Sequence, residues 1–152
     1  MTRTRPVIRW ESQMSIPAPT QRAAYGFGTT LDLPIEQAVE RTTAALKAEG
    51  FGVLTRIDVD KTLKEKIGAE IEPYVILGAC NPHLAFRGIQ AEPELGLLLP
   101  CNVIVHQHGD KSAVSIVDPG QMLGVVGDNP ELDAVASEAE SKLRKVLAAL
   151  ED

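Results

Sequence analysis

Cysteine is scarce in this chain: two residues in 152, Cys80 and Cys101. So few do not make a disulfide scaffold, and the fold has to rest on its core. Long apolar runs are also missing. Nothing approaches the roughly 20 residues that cross a bilayer, and the opening MTRTRPVIRWESQ is basic without the apolar segment of a secretory signal. A cytoplasmic protein is the expectation. Positive charge is short as well. The formal net charge is −6, yet Arg3, Arg5, Arg9 and Arg22 against Glu11 give residues 1–22 a net of +3, so the remainder carries −9. An acidic body argues against nucleic acid as a partner, because that affinity depends on cationic contacts to phosphate. There is no Gly-rich phosphate loop, no Cys-x-x-Cys, and no Ser or Cys within a readable catalytic triad.

What is present suits one domain with a single core, since 44% of the residues are hydrophobic. Residues 1–22 lack periodicity and hold Pro6, Pro17 and Pro19, which reads as a poorly ordered arm before a domain over 23–152. Ala24 to Leu31 alternates as a strand. Ile35, Ala38, Val39, Ala45 and Leu46, with Thr42 on the same stripe, have helical spacing between Pro34, expected at the first helical position, and Gly50. Phe51 to Val59 returns as a strand. A short helix follows, capped by Asp60, with Leu63 and Ile67 turned inward. Pro73 to Cys80 is a strand, and Asn81-Pro82 opens a helix as cap and first residue. Leu97 to Leu99 leads into a strand whose pairing begins at Cys101, because Pro100 has no donor for a ladder. Gly109-Asp110 turns into a last strand, residues 111–118. A loop over 119–128 precedes the final helix, opened by Asn129-Pro130, with Leu132, Val135, Ala136, Ala139, Leu143, Val146, Leu147 and Leu150 on one stripe. The order is β-α-β, a short helix, then β-α-β-β-α.

The segment ILGACNPHLAFRGIQAEPELGLLLPCNVIV, preceded by EGFGVLT and followed by VDPGQML, resembles the family known as domain of unknown function 302 over about residues 23–150. The paired CNP and LPCN motifs carry the likeness. The resemblance implies an α+β fold like that of the TATA-box-binding protein: a curved antiparallel five-stranded sheet packed against two long helices, often dimeric. It implies no activity and no cofactor.

Candidate sites gather around the cysteines. A disulfide between Cys80 and Cys101 would close a loop of about 20 residues and contribute roughly 3 kcal/mol, a benefit that a reducing cytosol removes. Cys80 beside a helix N-terminus can have a lowered thiol pKa and act as a nucleophile with Cys101 resolving; packing without reactivity is the plainer alternative. Cys80, Cys101 and His83 would supply three metal ligands, one short of a closed zinc site. His106 and His108 share one strand face, opposite Cys101, and read as a solvated strand end. Arg87 is expected to pair with Glu92 or Glu94, or to meet an anionic ligand. Asn102 either orients a ligand or satisfies backbone groups near Pro100. Asp118-Pro119-Gly120 reads as a turn without chemistry.

One further pattern concerns partners. YVIL, GLLL and VIV are apolar at both parities, whereas a sheet with one wet face alternates. A second subunit, or a small ligand held between sheet and helix, would cover the extra face. The reading is therefore a homodimeric binding module for a small ligand, without catalysis, using Asn81, His83, Arg87 or Asn102 near Cys80 and Cys101. The alternative is a thiol-dependent redox protein or enzyme.

Overall fold

The computed structural model describes residues 23–152; the arm expected over 1–22 lies outside them. Along the chain come β1 (Gly26–Leu31), α1 (Ile35–Ala48), β2 (Gly52–Asp58), α2 (Val59–Ile67), β3 (Tyr74–Cys80) and α3 (Pro82–Ala91). A 3-10 segment (Pro93–Leu98), β4 (Cys101–His108), β5 (Lys111–Val117), α4 (Pro119–Leu123), a 3-10 turn (Gly124–Val126) and α5 (Pro130–Glu151) complete it. The class is α+β. All strands join one antiparallel sheet in the order β1-β5-β4-β3-β2. The first two strands of the sequence are thus the two edges, and α1 carries the chain from one to the other.

Local chemistry explains the helices. The buried stripe of α1 is Ile35, Ala38, Val39, Thr42 and Leu46. Pro34 stands just outside, as the extended cap residue rather than the first helical one. Gly50 adopts φ +83°, the left-handed stop that a residue with a Cβ resists. In α3 the Asn81 Oδ1 accepts the Leu84 N–H at 3.3 Å, with Pro82 at the first turn. The same device opens α5: Asn129 Oδ1 accepts the Leu132 N–H at 3.1 Å. That amide has a second use, since its Nδ2 donates to Ala91 O at 3.2 Å and pins the start of α5 to the end of α3.

The core follows from strand alternation. Val75, Leu77 and Ala79 of β3, Val103 and Val105 of β4, and Val114 and Ile116 of β5 turn to one face and are buried against Leu46, Leu143 and Val146. Each of the Val, Leu and Ile side chains contributes about 1.5–3 kcal/mol of transfer free energy. On the opposite face Ile57, Ile76 and Ile104 are successive cross-strand partners from β2 to β4. Ile76 and Ile104 are half-buried and Ile57 is exposed.

Four local expectations need correction. Asp60 does not cap α2. It sits inside the first turn, and its Oδ1 accepts the Tyr74 N–H at 3.1 Å, holding the start of β3. Ile67, expected inward, is 72% exposed, because α2 buries none of its residues. Residues 97–98 belong to the 3-10 segment begun by Pro93 instead of an approach to β4. Finally, the presumed loop after β5 contains α4, capped by Asp118, whose Oδ1 accepts the Gly120 N–H at 2.9 Å and the Gln121 N–H at 3.3 Å. Asp118-Pro119-Gly120 is a helix start.

Candidate functional site

The two cysteines meet at one end of the sheet. Antiparallel pairing sets Ala79 opposite Cys101, so Cys80 lies one step past that pair. Alternation then separates the side chains. Cys101 shares the parity of Val103 and Val105, on the helix-covered face, whereas Cys80 shares that of Ile76 and Gly78, on the open face. Both are free thiols. Cys101 is buried and Cys80 half-buried. Burial pushes the Cys101 thiol up to about 11, with neighbouring Cys80 adding to the push. Burial also raises the Cys80 thiol, the reverse of the lowering expected beside a helix N-terminus.

A cavity of about 40 Å³ opens at this junction. Phe51, Leu84, Leu95, Leu99, Met122 and Cys101 are among its lining residues, and Cys80 and Asn81 contribute to the wall. It lies at the seam between two apolar clusters. The larger is the main core; the smaller gathers Leu95, Leu123, Leu132 and Ala136, with Leu98, Leu99 and Met122 packed against it. The first wall is a sheet end and α3; the second is largely the 3-10 segment and α4, both short and proline-initiated. Sequence reading missed this second wall. The apolar residues of PGQMLGVV were its signal, concealed by a reading of that stretch as loop.

The remaining predicted residues are dispersed. Asn81 is buried, with its carbonyl engaged on Leu84. His83 is exposed in the first turn of α3 and is not among the cavity-lining residues. Arg87 does not pair with Glu92 or Glu94. Its Nη1 donates to Glu138 of α5 at 2.6 Å, because α3 packs along α5, and the guanidinium holds that carboxyl below its usual range. Asn102 stands opposite Gly78 on the open face, exposed. Among the described residues no three of His, Cys, Asp or Glu converge to hold a metal, so Cys80, Cys101 and His83 do not form the ligand set considered above.

His106 and His108 do share the face opposite Cys101, but the expected solvated end is not found. His106 is 6% exposed, its Nδ1 lies 2.7 Å from His108 Nε2, and its ring packs 5.2 Å from that of Tyr74. Glu72 approaches His108 at 3.8 Å. Parity identified the face; it carried no information on what covers it.

No helix among the described residues is long and apolar enough to cross a membrane. No curated protein matches the chain. A crystal structure of an uncharacterized conserved protein DUF302 from Bacillus stearothermophilus is similar to it, with a TM-score of 0.76 and 31% identity, covering 84% of this chain and 98% of that one. Residues 27–150 match the family described as domain of unknown function DUF302. These matches bear out the resemblance drawn from the two cysteine motifs: the chain belongs to the DUF302 family.

Proposed function

We propose that this protein is a homodimeric, non-catalytic binding module in the cytoplasm that holds a small ligand at the Cys80/Cys101 end of its sheet. The observation that carries the reading is the cavity between α3, the 3-10 segment, α4 and the end of β4, roofed by side chains from separate elements. A packed interior leaves few voids larger than a water molecule, and small-molecule sites tend to be concave, largely apolar and placed between elements. The thiols favour binding over chemistry. Burial raises both, so at neutral pH they are protonated and weakly nucleophilic.

The dimer half of the proposal is supported by the open face of the sheet. Ile57, Ile76 and Ile104 form a continuous apolar row across three strands. A second copy laid on that row by a two-fold axis would remove it from water. Native mass spectrometry of the purified full chain tests both halves together. Twice the chain mass with a retained small molecule is expected for the wild type, and monomer for Ile76→Glu. An empty monomer at micromolar concentration would sink the proposal.

A further inference from the structure

The wall of the cavity narrows the ligand class, an inference that rests on the binding role proposed above. Phe51, Leu84, Leu95, Leu99, Met122 and Cys101 present carbon and sulfur. The one amide in the wall, Asn81, has its Oδ1 committed to Leu84 N–H, which leaves its Nδ2 as the single strong polar group on offer. Arg87 of α3 is outside the wall and bound to Glu138 at 2.6 Å. A polar or charged ligand entering here would give up its water for at most the Asn81 Nδ2 donor, at a cost of several kcal/mol for each group left unpaired. An apolar group loses nothing and gains contacts.

Size gives a second, independent limit. About 40 Å³ is well under the roughly 300 Å³ at which drug-sized sites begin. An apolar lining of this kind favours uncharged, non-hydrogen-bonding guests. We infer that this site accepts a neutral apolar group of a few carbon atoms, free or as the tip of an aliphatic chain, and rejects anions, sugars and nucleotides. One side of the wall is made of short elements. The 3-10 segment Pro93–Leu98 and the five-residue helix Pro119–Leu123 hold few internal backbone bonds, and they carry Leu95, Leu99 and Met122 or their immediate neighbours. Displacing them lengthens the cavity without unpairing the sheet.

The test is methyl NMR of the full chain with four probes: xenon, 1-octanol, butyrate and inorganic phosphate. Saturable xenon shifts are expected at the methyls of Leu84, Leu95, Leu99 and Met122, with no saturable response to butyrate or phosphate. Octanol moving the same methyls assigns the site to a chain tip; octanol silent beside active xenon assigns it to a small free molecule. Ala85→Leu fills the space from α3 and should weaken xenon about tenfold or more. Met122→Ala enlarges it and should tighten xenon severalfold, so the argument does not hang on one variant folding. Absent xenon saturation, equal xenon affinity in wild type and both variants, or butyrate binding as tightly as xenon overturns the inference. The two readings fail separately. Xenon uptake by a protein that purifies empty and monomeric defeats only the binding-module proposal. A retained polar ligand beside unresponsive methyls defeats only the ligand class.

Discussion

Gly78 is the position where one added carbon should do most damage at the candidate site. It lies on the open face of β3, directly across from Thr55 in β2 and Asn102 in β4. A Cβ built there meets Thr55 Oγ1 at 2.2 Å and Pro100 Cγ at 2.7 Å, far inside ordinary contact. Thr55 Oγ1 can turn away about χ1, but the Pro100 ring is rigid, so full relief requires the Leu99–Pro100 segment to move. Overpacking of this kind costs about 1–3 kcal/mol, which lowers the melting temperature of a chain this size by roughly 2–12 °C. Urea unfolding of Gly78→Ala, followed by circular dichroism, reads the loss directly. Gly52→Ala is the matched control on β2, since a Cβ there has no atom within 4 Å; it should be neutral or slightly stabilising. Because Thr55 supplies the nearest clash, Gly78→Ala/Thr55→Ala should recover at least about 0.5 kcal/mol relative to the sum of the single changes. Equal midpoints for Gly78→Ala and wild type would refute the reasoning, as would strict additivity in the double variant.

Other outcomes follow from the same structure. With the Cys101 thiol raised to about 11, the folded state holds a proton that the unfolded state releases near 9, so stability should fall by about 2–3 kcal/mol as pH rises across that window and stay flat below it. Denaturant titrations of wild type and Cys101→Ala between pH 8 and 11 check this, and the variant should lose most of the slope, the raised Cys80 thiol keeping a part. Asn129→Ala removes the α5 cap and the tie to Ala91, and should cost about 1–2 kcal/mol in urea unfolding. Arg87→Met breaks an exposed ion pair and should change stability by less than about 1 kcal/mol; a larger loss would mean that the α3–α5 contact depends on it. Leu143→Ala, at a fully buried position of α5, should cost about 2–5 kcal/mol by calorimetry or urea.

Much of the architecture was legible because its signals are local. Asn81-Pro82 and Asn129-Pro130 are caps readable in two residues, and Gly109 at φ +63° turns the β4–β5 hairpin where Gly-Asp stands. Short elements escaped. A five-residue helix and a six-residue 3-10 segment are too brief for periodicity to register, although Asp118-Pro119 carries the same cap-then-proline signature as Asn81-Pro82. Long-range partners escaped for a different reason. Arg87 had carboxylates nearby in sequence at Glu92 and Glu94, but the helix crossing placed Glu138 closer. For the candidate site, the sequence marked where the cysteines meet. It left reactive and packed thiols both open, because the burial that raises the two thiols depends on elements distant in sequence.

The strand order has a consequence for synthesis. β1 emerges from the ribosome first, yet its sole neighbour is β5, and Leu31 pairs with Ser112, about 80 residues later. At roughly 5–20 residues per second the nascent strand waits about 4–16 s for a partner, with Phe27 and Leu31 lacking their core. Closure of the sheet is then a late, long-range event of the kind that slows folding, and the wait is the interval in which a chaperone would find this chain.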